Sequence, residues 1–215
     1  MDRRIFFSAG LGVLTLSPFS VKANSPVEGQ HYVDVSPRQP TKDPKRIEVV
    51  EFFAYGCEHC YAFEPTLDAW QRRLPTDVLF RRVPVSFRAG PMVRHQQLYY
   101  AIETLGLVDR LHSKVFSAMH LEKKRLVSPE DITAFVARHG VDPAQFLQVI
   151  DSPGVAKKVK EADALAEGYK FRGTPSLGID GLWLTNGELA GSNEQALAVT
   201  EHLIALAKRT RKARS

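Results

Sequence analysis

The chain holds two cysteines in 215 residues, Cys57 and Cys60, separated by only two positions. They follow an apolar run, "IEVVEFFAY" at 47–55, whose β-branched and aromatic content predicts a strand buried on both faces. Beyond it, "CEHCYAFEPTLDAWQRRL" (57–74) sets Tyr61, Leu67, Trp70 and Leu74 at helical spacing. Cys57 is therefore expected where a buried strand turns into a helix. Cys60 is expected one turn inward on that helix, closer to the core.

Three chemistries are open to such a pair. As a structural disulfide, a loop of four residues contributes only about 2 kcal/mol in the chain-entropy model. As a zinc site, one C-x-x-C is half a ligand set, and no second C-x-x-C or spaced His pair follows it. As a redox pair, the position is favourable. Unpaired backbone N–H groups and the positive end of the helix dipole stabilise a thiolate at Cys57. Cys57 then attacks and leaves, Cys60 resolves, and a donor imidazole at His59 further favours the thiolate. A stabilised thiolate is a stabilised reduced form, so the disulfide is a strong oxidant.

The N-terminus bears on the compartment. Arg3 and Arg4 precede an apolar stretch from Ile5 to Phe19, and "VKA" at 21–23 offers small residues before a cut. This is the layout of a secretory signal peptide cleaved near Ala23, and the apolar run is short of the ~20 residues that span a bilayer. Cleavage removes Arg3, Arg4 and Lys22 against Asp2, taking the formal net charge from +5 to +3. So mild a surplus does not suggest a nucleic-acid binder. The basic end, "KRTRKARS" at 208–215, reads as a solvated, frayed helix terminus.

A second strand is expected at "DVLFRRVPVSF" (77–87), followed by helical patterns from 90 to 167. In "SPEDITAFVARHG" (128–140), Ser128 is the cap, Pro129 opens the helix and Gly140 ends it. Strands return at "PSLGIDGLWLT" (175–185) around the hairpin signal Asp180-Gly181, and "SNEQALAVTEHLIALAKRT" (192–210) closes as an amphipathic helix. The order β-α-β, helical block, β-β-α describes an α/β thioredoxin fold interrupted by an inserted all-helical domain. Residues 24–89 and 168–215 form the thioredoxin-like domain, and 90–167 the insertion.

With these parts in place, the sequence resembles the DsbA family of exported thiol–disulfide oxidoreductases. The resemblance rests on "EFFAYGCEHCYAFEP", on "RGTP" (172–175) before the hairpin, on the size of the insertion and on the export signal. It implies a strongly oxidising pair with Cys57 as nucleophile, Cys60 as buried partner, and Glu58 with His59 as the tuning dipeptide. It implies that Thr174 and Pro175 form a cis-proline loop that docks an extended substrate. It also implies that Glu51 relays a proton to Cys60, with Glu64 and Arg82 as its charged neighbours. The implied clients are reduced, unfolded exported polypeptides. The implied reoxidant is a DsbB-like quinone-linked membrane oxidase, and no organic or metal cofactor is needed.

Two positions depart from the pattern. The best-known members carry Pro where this chain has Glu58 and Val where it has Thr174. Thr-Pro is more typical of the isomerase branch, which adds an N-terminal dimerisation domain, and only residues 24–46 precede the first core strand here. The expectation is a monomeric periplasmic oxidase. The alternatives are a disulfide isomerase or reductase, and a non-enzymatic metal carrier using Cys57, Cys60 and His59.

Overall fold

A computed structural model describes residues 25–87 and 90–213. Strand β2 (Ile47–Phe53) is buried at every position, as its apolar run requires. It lies inside a five-stranded sheet whose order is β1 (Val33–Asp34), β5 (Trp183–Asn186), β4 (Ser176–Ile179), β2 and β3 (Val78–Pro84). β3 (Val78–Pro84) pairs parallel with β2, which demands a crossover, and helix α1 (Glu58–Gln71) provides it. β4 (Ser176–Ile179) runs antiparallel on the other side and turns into β5 (Trp183–Asn186). Asp180 and Gly181 both adopt positive φ, 53° and 69°, and the Leu182 N–H donates to the Ile179 carbonyl at 2.9 Å. This is the hairpin turn that Asp-Gly predicts. A Cβ on Gly181 would stand 2.1 Å from the Gln39 carbonyl oxygen, so close approach as well as φ requires glycine.

Between β3 and β4 come α2 (Gly90–Thr104), α3 (Val108–His120), α4 (Pro129–Arg138), α5 (Pro143–Ile150) and α6 (Pro153–Tyr169). Three of them start alike, with a side-chain cap followed by proline. Ser128 Oγ accepts from Asp131 N–H, Asp142 Oδ1 from Ala144 and Gln145 N–H, and Ser152 Oγ from Val155 N–H. These helices do not form a core of their own. Val50, Phe52 and Phe53 of β2 share one buried cluster with Leu111, Phe116, Phe146 and Val159. A second cluster on the opposite side of the sheet joins Val49, Leu67, Trp70 and Ile179 to Leu203 of α8 (Asn193–Lys212).

Two short elements escape sequence reading. β1 (Val33–Asp34) pairs antiparallel with β5, and α7 (Gly187–Ala190) links β5 to α8. Two and four residues are too few to carry a hydrophobic period.

The basic terminus is better anchored than its composition suggests. The α8 helix continues to Lys212, and residues 214–215 lie outside the described set. Arg211 donates to the carbonyls of Pro44 (2.7 Å) and Arg46 (3.1 Å) and pairs with Asp180. Lys208 pairs with Asp77 at 2.7 Å. Asp180 is buried and also receives Arg38 at 2.9 Å, so one carboxylate in the hairpin turn ties down both the N-terminal segment and the last helix. Replacing it by alanine should cost about 1–3 kcal/mol, because two cations lose their partner at a strained φ. Asp180→Asn should recover part of the loss. Urea unfolding of the two variants measures the difference.

Candidate active site

The backbone places Cys57 before its side chain is considered. After β2 ends at Phe53, the Cys57 N–H donates to the Ala54 carbonyl at 3.0 Å and closes a tight turn. Cys57 is the N-cap of α1, with φ −85° and ψ 119°. At that position the sulfur lies at the unpaired N–H groups of the first turn, and those of His59 and Cys60 favour its thiolate. Cys57 is half-buried, Cys60 is buried, and both are thiols in the structure.

Their environments push the two sulfurs in opposite directions. The Cys57 pKa is lowered to about 5. The Cys60 thiol bonded to it is the largest cause, followed by the Thr174 side chain and the two backbone N–H groups, while partial burial opposes them. Cys60 is pushed far up, first by burial, then by the bond to Cys57 and the charge of Glu51. A helix start thus yields one sulfur ready to ionise and one that resists it.

The loop facing Cys57 comes from the other end of the chain. The Thr174-Pro175 bond is cis, in keeping with the expectation from the motif. Ser176 Oγ donates to the Gly173 carbonyl at 2.6 Å and pins the loop to the start of β4. The Cys57 thiol donates to the Thr174 carbonyl at 3.3 Å. That contact favours the protonated sulfur, whereas the Thr174 side chain favours the thiolate. A groove of about 420 Å³ opens beside the loop, lined by His59, Thr174, Pro175, Asn186, Glu188 and Asn193 among others. Glu58 and His59 are exposed, and what His59 gives Cys57 is its backbone N–H.

Beneath the pair lie the three charged residues expected from the sequence, all brought together. Glu51 stands opposite Arg82 in the β2–β3 register, and Arg82 Nε lies 3.2 Å from Glu51 Oε2. Arg82 Nη2 donates to Glu64 Oε1 at 2.7 Å, and Nη1 to Gln71 at 3.3 Å. All three charged groups are buried. Burial pushes the Glu51 pKa up to about 8 even though Arg82 pulls it down. Desolvation wins over the ion pair, so this carboxyl keeps its proton to higher pH than an ordinary glutamate does.

Sequence reading missed a further set of residues around this group. His112 of α3 stands 3.4 Å from Glu64 and 2.8 Å from the Tyr55 hydroxyl. His120, two turns on, lies 2.8 Å from the Tyr55 carbonyl and stacks on Tyr61 at 4.8 Å. The available signal was two histidines eight residues apart on the buried face of an amphipathic helix. Among the described residues, no group of three or more His, Cys, Asp or Glu could hold a metal ion.

A thioredoxin-type sheet presenting C-x-x-C at a helix start, opposite a cis-proline loop, defines a protein thiol–disulfide oxidoreductase. The profile of the DSBA-like thioredoxin domain matches residues 82–198. The thiol:disulfide interchange protein DsbA of Bordetella pertussis (strain Tohama I) is 41% identical over 202 residues, 94% of each chain. That of Pseudomonas syringae pv. tomato is 38% identical over 203 residues, again 94% of each. The crystal structure of Pseudomonas aeruginosa DsbA is similar with a TM-score of 0.83 at 36% identity, covering 87% of this chain and 97% of that one. The chain belongs to the DsbA family. It exchanges disulfides with substrate proteins through its own cysteine pair and needs no cofactor.

Two substitutions should move the Cys57 pKa in opposite directions. Thr174→Val removes a side-chain hydroxyl that favours the thiolate, so the pKa should rise and the disulfide should become a weaker oxidant, by about 30 mV or less per pKa unit. Glu58→Gln removes a like charge beside the sulfur at the first helical position, so the pKa should fall by about one unit or less. Thiolate absorbance of the reduced protein against pH reads both. A depressed thiol pKa stabilises only the dithiol form, fully above the ordinary thiol pKa, and the effect is lost as pH falls through about 5. The dithiol protein should therefore outlast the disulfide form in urea at neutral pH, with the gap closing as pH approaches 5.

Proposed function

We propose that Cys57 is the sulfur that meets clients and Cys60 the one that resolves. The observation that carries this is the contrast between a half-buried thiol with a pKa near 5 and a buried one pushed far up. A client thiolate attacks Cys57 Sγ, and the Cys57–Cys60 bond breaks. Cys60 leaves with the electron pair and takes the proton that Glu51 holds, while Arg82 and Glu64 fix the position of Glu51. A second client thiolate then attacks the client sulfur of the mixed disulfide, and Cys57 departs as a thiolate. The client loses two electrons and the protein gains them. Thr174 and Pro175 dock the client as an extended strand, with Pro175 leaving no N–H to compete and Thr174 offering its backbone. Glu58 and His59 tune the half-buried sulfur of Cys57.

In this reading the clients are reduced, unfolded exported polypeptides, and the protein works as a monomer in the periplasm. Its signal peptide is cut near Ala23, a site that lies outside the described residues. Among the described residues, no helix is long and apolar enough to cross a membrane. Because each cycle leaves a dithiol, a DsbB-like quinone-linked membrane oxidase restores the disulfide. Residues 24–89 with 168–215 form the catalytic domain and 90–167 the helical insertion, joined by a shared core.

Trapping tests the assignment of roles. Cys60→Ala should accumulate client adducts through Cys57, visible as reducible high-mass bands, whereas Cys57→Ala should trap almost none. Equal trapping by the two variants would overturn it.

A further inference from the structure

Four buried polar atoms around the cysteine pair lack an aligned hydrogen-bond partner: Glu51 Oε2, Arg82 Nε, Glu64 Oε2 and His112 Nε2. They fall into two facing pairs, Arg82 with Glu51 at 3.2 Å and His112 with Glu64 at 3.4 Å. Arg82 and Glu64 are themselves bonded, so the four residues form one continuous group. It runs from beneath the cysteines into the helical insertion. Buried groups of this kind are costly unless each member is paired, so the member with no assigned role calls for a reason.

We propose that His112 is a positioning residue for the cysteine chemistry, holding Glu64 with one ring nitrogen while the Tyr55 hydroxyl holds the other. The proposal rests on the reading that Glu51 exchanges a proton with Cys60. Nε2 faces a carboxylate oxygen and so carries the proton, which leaves Nδ1 to accept from the Tyr55 O–H. Tyr55 thereby selects the tautomer. With Glu64 Oε2 served by His112, Arg82 is free to lean on Glu51. Without His112, the full charge of Glu64 acts on Glu51 and draws Arg82 away, and both changes make Glu51 hold its proton to higher pH.

The surroundings of His112 favour the neutral ring. Phe53, Tyr99 and Phe116 pack around it with ring centroids 5.1 to 5.7 Å away. The charged groups that act on it are Glu64 and Asp68 of α1 and Arg82 of β3. Burial is the largest influence and lowers its pKa, while the nearby Glu64 carboxylate opposes that shift. His112 acts as a fixed donor and does not change charge during the reaction.

The test uses the full chain with glutathione joined to Cys57. Cys60 gives its proton to the Glu51 carboxylate, attacks Cys57 Sγ and expels glutathione as a thiolate, and the rate is followed against pH. The acid limb of that profile reports Glu51. His112→Phe fills the aromatic pocket without a donor, and should move the limb to higher pH by about half a unit or more. Tyr55→Phe, which keeps the packing should His112→Phe not fold, should move it the same way by less. His112→Gln, whose amide can donate to Glu64, should restore part of the shift. The Cys57 pKa, read from thiolate absorbance, should stay in place throughout. A limb lost in Glu51→Gln but unmoved by both His112→Phe and Tyr55→Phe overturns the assignment of His112 alone. A limb that survives Glu51→Gln overturns it together with the relay on which it rests. A Cys57 pKa that moves as far as the limb overturns it too, since His112 would then act only through the loop before Cys57.

Discussion

The first turn of α1 must hold one sulfur that carries negative charge and, three residues on, another that does not. Everything else near the site follows from keeping those two atoms bonded in one redox state and unlike in the other. The helix start solves half of the problem, because its N–H groups have no intrahelical acceptor and point at whatever occupies the N-cap. Serine, threonine or aspartate usually fills that role. Here a thiolate does, so the cap stabilises the reduced form of the pair. Burial solves the other half. At Cys60 desolvation is the largest influence, and the first turn of the same helix turns that sulfur into the core.

Burying Cys60 creates a second constraint, since a sulfur that must gain and lose a proton away from water needs a partner nearby. Sheet register brings a carboxyl group beneath it, that of Glu51. Side chains alternate across a strand, so Arg81 and Arg82 of β3 face opposite sides. Arg82 meets Glu51, while Arg81 meets Glu48 at 3.0 Å. Both glutamates are buried on β2, and their separation of three residues also places them on opposite faces. A register slip of one residue would reverse the sides of both arginines and strand two buried carboxylates. Unpaired buried charge is costly, at several kcal/mol per ion, so the polar pairs specify the alignment more sharply than the uniformly apolar residues between them.

The features with a local period or a fixed chemical requirement were legible in the sequence. The fully buried β2, the Asp180-Gly181 turn, the Ser128-Pro129 helix start and the cysteines at the strand–helix junction each depend on residues within a few positions. The Glu51, Glu64 and Arg82 group was anticipated through the resemblance alone, since nothing local brings positions 51, 64 and 82 together. Arg211 was misread for a related reason. Composition makes "KRTRKARS" look solvated, but Arg211 meets two carbonyls and a buried carboxylate that are distant in sequence. The histidines of α3 were invisible because a histidine on an apolar face looks the same whether it packs or bonds.

Those histidines also explain why the helical insertion cannot be a passive decoration. Its helices share a core with β2, so their packing and that of the catalytic sheet are set together. Two α3 residues then grip Tyr55, one at its hydroxyl and one at its carbonyl, and Tyr55 lies two residues before Cys57. A rotation of α3 would therefore disturb the turn that presents Cys57 and, through His112, the carboxylates beneath Cys60. One helix of the insertion thus touches both the turn before Cys57 and the charge group beneath Cys60. A thioredoxin sheet alone can offer a helix start to a thiolate. The buried charge group beneath the second thiol runs on to His112, so it spans the sheet and the helical insertion.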